Sequence, residues 1–276
     1  MLKKSEMNFE MYHLMKHLKK DDRISWKNAL NKIHMLAIRD VPLSYITKYH
    51  PFLNTELSIL PRVLIPRNET EDYAMKLVAH IKSFRSENSE PIQILDLCTG
   101  SGCIAIALAS NIKQVEVTAI DKSRKCFINT KINIDRNSST MESLDSKVNI
   151  KRADLFGEDF KLEQKYDLII SNPPYIPRNQ INKVDKNVLK FENHDALFPS
   201  TCIRNGTNFH SRILYLSQFL LRKDFVQSQH SLPKIVLEID GKHQIEPLKR
   251  VLKSLNFQKY EFRNDMRNIP RSLWIY

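Results

Sequence analysis

Four consecutive residues, Asn172-Pro173-Pro174-Tyr175, are of the types needed to hold a planar nitrogen in place for reaction. An amide or aromatic amino nitrogen delocalises its lone pair and is a poor nucleophile, so a site must aim it and draw it toward tetrahedral geometry. Two acceptors on its two N–H groups can do this, namely the side-chain oxygen of Asn172 and the backbone carbonyl of Pro173. Prolines restrict φ and donate no hydrogen bond, which leaves rigid carbonyls facing a pocket. Tyr175 offers a flat face to a planar group. Asn172, Pro173 and Tyr175 are the candidate catalytic residues, and Asn172, Pro173, Pro174 and Tyr175 the candidate substrate contacts.

A second constellation precedes them. The run Asp96-Leu97-Cys98-Thr99-Gly100-Ser101-Gly102-Cys103 follows a strand-like segment and opens a helix-like one. Its glycines permit a tight turn and close backbone approach, so a ligand can lie against N–H groups at a helix start. Gly100-x-Gly102-x-x-Ala105 also fits the dinucleotide fingerprint, with Asp121 placed as a ribose-binding acid 19 residues after Gly102. An NAD-dependent enzyme therefore stays open on the loop alone. Asp96 suits the polar amino acid end of S-adenosylmethionine and would repel a pyrophosphate. Asp154 is placed to accept from an adenine amino group, with Leu155 or Phe156 against the ring. The tetrapeptide then tips the choice toward methyl transfer from S-adenosylmethionine, whose leaving group is a neutral thioether. Neither a nucleophilic cysteine nor a metal is needed for that chemistry, and no metal site is expected. The four cysteines, Cys98, Cys103, Cys126 and Cys202, form no Cys-x-x-Cys pair or Cys/His cluster.

The elements that must position these residues follow from periodicity. From residue 69 the chain alternates helix-like and strand-like segments. Strands are predicted over 92–97, 115–120, 148–152, 167–171, 234–239, 257–262 and 272–276, and helices over 69–85, 104–109, 122–136, 208–223 and 243–255. Such βα units build a doubly wound, mostly parallel sheet that binds ligands beyond the carboxyl ends of its strands. The polar Asn/Ser stretch at 137–146 reads as a surface insertion. Upstream, 6–19 and 25–38 read as two short amphipathic helices whose methionines are packing residues. A proline-punctuated stretch follows, with a strand pair near Leu57 and Ile59.

The 276 residues carry a net charge of +12, spread along the chain, which favours an acidic partner or simply a solvated surface. No apolar run is long enough to span a bilayer, so no membrane association and a soluble intracellular protein are expected. The N-terminal segment mixes lysines with Glu6 and Glu10 and is a poor match to a transit peptide.

At Ile65-Pro66-Arg67-Asn68-Glu69-Thr70-Glu71, the glycine loop, Asp121, Asp154-Leu155-Phe156 and Asn172 through Pro177, the chain resembles the release factor glutamine methyltransferases. Pro42 to Ile46 is similar to that family's stretch at the domain junction, and weaker matches are Phe191-Glu192 with Ala196-Leu197 and Leu237-Glu238-Ile239 with Gln244. The sequence departs from that family's pattern in having Cys98 where glycine is usual, Asn68 for a proline, and Asp240 for a glycine. The resemblance implies a Rossmann-like class I methyltransferase with a seven-stranded sheet and a small N-terminal helical domain. Its parts would be a substrate-gripping module over 1–48, a linker or hairpin over 49–66, and the methyltransferase domain over 67–276. It implies that Cys98, Thr99, Gly100, Ser101, Gly102, Asp121, Asp154, Leu155 and Asn172 hold S-adenosylmethionine. The partner would be a class 1 peptide chain release factor, methylated on the glutamine amide of its Gly-Gly-Gln motif. Further expectations are a monomer, ribosome association, and a mitochondrial location with the cytoplasm as alternative. The rival activity is methylation of an adenine or guanine amino group in nucleic acid, which poses the same chemical problem.

Overall fold

The computed structural model describes residues 10–15, 26–37, 39–84, 90–198, 205–222 and 232–276. The expected helical residues 6–9, 16–19, 25 and 38, and Cys202, lie outside these residues. Near the N-terminus, α1 (10–15), α2 (Trp26–Ala37) and α3 (Leu43–Thr47) gather a small apolar cluster of Leu14, Leu36 and Ile46, with Met11, Ile33 and Met35 packed against it. The antiparallel hairpin β1 (His50–Phe52) and β2 (Thr55–Leu57) comes next. Its Phe52 and Leu57, with Ile59 and Val63 beyond, bury in the cluster that also holds Leu77, Ile94 and Val117.

Helix α4 (Asn68–Phe84) buries Thr70, Tyr73, Ala74, Leu77, Val78 and Ile81, the spacing of one helical stripe. Thr70 shares that stripe's phase, so its short polar side chain is carried into the interior at the first turn. The sheet then builds from β3 (Ile92–Leu97), β4 (Val115–Asp121), β5 (Lys147–Arg152), β6 (Leu168–Ser171), β7 (Ile235–Glu238), β8 (Tyr260–Asn264) and β9 (Pro270–Ile275). The order is β5-β4-β3-β6-β7-β9-β8, parallel from β5 to β7 and antiparallel at β7–β9 and β9–β8. β3, β6 and β7 are buried at every position, as central strands covered on both faces must be. Short α5 (Cys103–Ala109) is wholly buried, which explains its unbroken apolar sequence. Helices α9 (Asn208–Leu220) and α10 (Lys242–Ser254) pack with a second apolar cluster around Leu95, Ile169 and Leu237. Between β6 and α9 lie a 3-10 turn (Arg178–Lys183), α7 (Lys186–Phe191) and α8 (His194–Leu197), none marked by periodicity.

One expectation is corrected. The stretch 137–146 is not a surface insertion, because α6 (Arg124–Ser143) continues through most of it and Asn137, Met141 and Ser146 are buried. The buried face of α6 is polar: Asn129, Asn133 and Asn137 recur at every fourth position. Asn133 Oδ1 accepts from Ser58 N (2.6 Å), while its Nδ2 donates to the carbonyls of Ser58 (3.0 Å) and Ser101 (2.9 Å). Asn129 Oδ1 accepts from Leu60 N (2.6 Å), and Asn137 Nδ2 donates to Glu56 O (3.0 Å). The helix thus acts as a partner strand for residues 56–60, satisfying backbone groups that no sheet reaches. A composition rule reads such a face as solvated.

Candidate active site

β3, β4 and β6 deliver their carboxyl ends to one place, on either side of the point where the strand order reverses about β3. The chain leaves β3 through Cys98 at φ 60°, Gly100 at φ 61° and Gly102 at φ 81°. A side chain at Cys98 adopts a conformation that glycine takes at no steric cost. Gly102 is needed for space, since a Cβ there would meet Thr130 Cγ2 at 2.7 Å. At Gly100 a Cβ would meet nothing within 4 Å, so that peptide presents an open face. Thr99 N donates to Ile120 O (3.0 Å), tying the turn to β4.

A cleft of about 710 Å³ opens over this turn. Of the residues singled out for the cofactor, Cys98, Gly100, Asp121, Asp154, Leu155 and Asn172 line it, whereas Thr99, Ser101 and Gly102 do not. Thr99 and Ser101 are buried, and Thr99 Oγ1 donates to Asp96 Oδ2 (2.6 Å) behind the turn. Asp96 is also fully buried rather than facing the cleft, so it braces the loop from below. Burial pushes its carboxyl up to about 7 against the opposing hydrogen bond from Thr99. Asp121 accepts from Gly100 N (3.0 Å) through Oδ2 and from Ser123 N (2.8 Å) through Oδ1. Burial raises its pKa, and those two backbone donors oppose the rise. Asp154 is exposed, its Oδ1 accepting from Phe156 N (3.0 Å) in a local turn.

Sequence reasoning missed Leu64, Lys122, Asp195 and Phe209 among the lining residues. Leu64 directly precedes the Ile65-Pro66-Arg67 stretch, the one signal that could have marked it. Phe209, edge-on to Phe156 at 4.9 Å between ring centroids, arrives from α9 and has no local mark. The lining carboxylates Asp121, Asp154 and Asp195 outnumber the lysine among them, Lys122. Such a lining repels a pyrophosphate and suits a cationic sulfonium with a ribose and an apolar-stacked ring. The residues present therefore fit S-adenosylmethionine.

A second cleft of about 900 Å³ lies on the other side of the tetrapeptide. Pro173 and Tyr175 line it with Arg67, Lys183 and Asp240, whereas Pro174 faces the first cleft. Asn172, Leu64 and Ala196 line both, so Asn172 stands on the shared wall. Its Nδ2 donates to Thr70 Oγ1 (3.1 Å), Thr70 Oγ1 donates to Glu238 Oε2 (2.7 Å), and Tyr175 OH donates to Glu238 Oε1 (2.9 Å). Burial raises Glu238 to about 7, opposed by the hydrogen bonds from Thr70 and Tyr175 and by the charge of Arg271. The loop's back is held by Gln244 Nε2, which donates to Tyr175 O (3.4 Å) and Asn205 O (3.1 Å). Gly206 packs so closely that a Cβ would meet Tyr175 O at 1.8 Å. Arg67 Nη2 donates to both oxygens of buried Glu192 (2.7 and 2.8 Å), joining the Ile-Pro-Arg stretch to the end of α7.

A seven-stranded sheet with this order, a glycine turn after its first strand and a paired cleft define a class I, Rossmann-like methyltransferase. The methyltransferase small domain family model matches residues 72–195. The chain is 34% identical over 241 residues to the probable MRF1 mitochondrial N(5)-glutamine methyltransferase of Schizosaccharomyces pombe, covering 84% of this chain and 74% of that one. It is 32% identical over 231 residues to the release factor glutamine methyltransferase of Streptococcus pneumoniae, with coverage of 82% and 76%. The Bacteroides thetaiotaomicron enzyme of the same name is 34% identical over 196 residues, 71% of this chain and 65% of that one. A solved hMettl16 catalytic domain in complex with MAT2A 3'UTR hairpin 1 superposes with a TM-score of 0.54 over 98% of this chain and 90% of that one. At 15% identity it speaks to the fold alone. The chain belongs to the release factor glutamine methyltransferase family and is an S-adenosylmethionine-dependent N-methyltransferase.

Proposed function

We propose that this enzyme methylates the side-chain amide of the glutamine in the Gly-Gly-Gln motif of a class 1 peptide chain release factor. The observation that carries the reading is the position of Asn172 on the wall common to two clefts, one suited to the donor and one to the acceptor. The names of the relatives favour glutamine and a release factor as acceptor over a nucleic-acid base.

In this reading Cys98 and Gly100 would hold the cofactor against the turn, Asp121 would accept from its ribose and Asp154 from its adenine amino group, and Leu155 would lie against the ring. When bound it supplies an electrophilic methyl on a sulfonium. Asn172 Oδ1 and the Pro173 carbonyl accept the two N–H groups of the glutamine, which draws the nitrogen from planar toward tetrahedral geometry and points its lone pair at the methyl. Tyr175 covers the planar amide on the second-cleft side, while Pro174 keeps the turn rigid. Once transfer is complete the extra N–H proton leaves toward the Pro173 carbonyl and then to solvent through the second cleft. The N-terminal module over 1–48 grips the factor, the enzyme works as a monomer, and the net positive charge assists encounter with the factor on the ribosome. A mitochondrial location follows the Schizosaccharomyces pombe relative.

The decisive experiment is transfer from labelled S-adenosylmethionine to purified release factor, with the modified peptide read by mass spectrometry. Label is expected on the Gly-Gly-Gln glutamine alone. Label that persists when that glutamine is replaced, or that goes instead to RNA or DNA, overturns the assignment.

A further inference from the structure

Thr70, Asn172, Tyr175 and Glu238 come from α4, the loop after β6, and the end of β7, and meet in a region where Thr70 and Glu238 are each 1% exposed. A hydroxyl has one hydrogen to give. Thr70 gives its hydrogen to Glu238 Oε2 at 2.7 Å, so toward Asn172 its oxygen can only accept. The Asn172 amide must then turn its NH₂ to Thr70, at 3.1 Å, and its Oδ1 away. Tyr175 spends its own hydrogen on Glu238 Oε1 at 2.9 Å. Both carboxylate oxygens of Glu238 are thereby committed as acceptors.

We infer that Glu238 and Thr70 are positioning residues, a buried relay that sets the polarity of the Asn172 amide so that Oδ1, not Nδ2, faces the substrate nitrogen. The inference rests on the proposed role of Asn172 as acceptor for the glutamine N–H. The alternative flip would place an NH₂ against the substrate's NH₂, two donors face to face with no bond between them. An acceptor-only group at the end of the relay is the simplest way to forbid that flip, because every hydrogen upstream must point toward it. A neutral glutamine at 238 would reverse the logic. Its own NH₂ could donate to Thr70, which would free the Thr70 hydrogen for Asn172 Oδ1.

The surroundings keep the carboxylate charged only above neutrality. Arg271 from β9 favours the ionised form, whereas burial and the charge of Glu69 oppose it, and the balance lies near 7. Tyr73 of α4 lies close to both Glu238 and Asp96, its own pKa raised by burial and by those charges, and His210 of α9 bonds the Glu238 backbone carbonyl (2.8 Å) while staying neutral. Below pH about 7 a protonated Glu238 would itself donate, and the direction of the relay would no longer be unique.

The test compares Thr70→Val, which keeps shape and removes the relay, Thr70→Ser, which restores the hydroxyl, and Glu238→Gln, which keeps shape and adds a donor. Expected are kcat losses of roughly 10- to 100-fold for Thr70→Val and Glu238→Gln, the scale seen when the hydrogen-bond partner that orients a metal-binding side chain is removed. The KM for S-adenosylmethionine should stay within about twofold, and Thr70→Ser should recover most of kcat. The wild type at saturating cofactor should show a low-pH limb of kcat near neutrality, and Glu238→Gln should not. A readout free of turnover is the side-chain amide signal of Asn172 in a ¹⁵N spectrum, assigned by its loss in Asn172→Ala. It should shift in Thr70→Val and Glu238→Gln and hold in Thr70→Ser. Wild-type kcat in both relay variants, or an unmoved Asn172 signal, overturns the inference. Absence of methyl transfer by the wild type to the release factor would instead reject the substrate reading, leaving the amide signal to decide the relay.

Discussion

At the scale of single residues, two polar side chains divide the labour between the clefts. Among the described residues, Asn172 is the polar one that lines both, so its replacement should separate binding from turnover. Asn172→Ala is expected to lower kcat by about 10²- to 10³-fold, the usual cost of removing one preorganised hydrogen-bonding group at a reacting centre. Cofactor affinity, read by calorimetry, should fall far less than kcat, since Cys98, Gly100, Asp121, Asp154 and Leu155 still line the donor cleft. Asp121 should show the reverse split. Its two oxygens already hold Gly100 N and Ser123 N, so it both shapes the turn and presents charge to the cleft. Asp121→Ala should weaken cofactor binding by about 1.5–3 kcal/mol, the range for hydrogen bonds to a charged group. At saturating cofactor kcat should approach that of the wild type, and a loss of kcat with unchanged affinity would contradict the assignment.

At the scale of elements, α6 is the unexpected participant. Asn133 holds Ser58 on one side and the Ser101 carbonyl of the cofactor turn on the other, so one side chain couples the segment after β2 to the cleft floor. Asn133→Leu, close in volume, would leave three buried backbone groups without that partner. A loss of about 2–4 kcal/mol is expected from unsatisfied groups of this kind, read by chemical denaturation, together with weaker cofactor binding. Asn129→Leu, which removes bonds to Ser58 and Leu60 but none to the cofactor turn, should cost stability with little change in cofactor affinity. Equal effects of the two variants on cofactor affinity would show that α6 does not transmit through Ser101. The same logic separates Arg67 from a surface charge. Its guanidinium meets both oxygens of a carboxylate that is 2% exposed, so Arg67→Lys loses a paired geometry and leaves Glu192 partly unanswered.

For the whole molecule, the buried carboxyls tie stability to pH. Glu238 is raised from 4.5 to about 7, so the folded state holds a proton that the unfolded chain releases across that window. A raised folded pKa contributes stability that is fully present below the unfolded value and lost as pH rises through the folded one. The stability of the wild type relative to Glu238→Gln should therefore fall between about pH 5 and about pH 8, by on the order of a few kcal/mol. Urea denaturation at the two pH values measures this directly, and a pH-independent difference would mean that Glu238 is ionised throughout. Asp96, raised to about 7 by burial, acts in the same direction. His50 and His210, each lowered to about 4 by burial, act in the opposite one, losing stability as pH falls from their unfolded value.

What the sequence by itself determined was whatever is written locally. The βα alternation, the all-apolar runs of β3, β6 and β7, the positive-φ turn at Gly100 and Gly102 and the tetrapeptide after β6 depend on neighbours a few residues away, where periodicity and turn chemistry operate. The order of elements and the position of both loops at strand ends were legible for that reason. The Asn-rich face of α6, the partners of Glu238, the turning of Thr99 and Asp96 into the interior, and the arrival of Phe209 and Leu64 at the cleft were not. The α6 bonds, the partners of Glu238 and the arrival of Phe209 and Leu64 at the cleft join residues separated by many tens of positions, and the Thr99–Asp96 bond, though local, is buried only because β4 and β6 flank β3. A polar residue's cost or benefit on burial is decided by the partner it meets, and that partner is a property of the packed sheet rather than of the residue's neighbours in the chain.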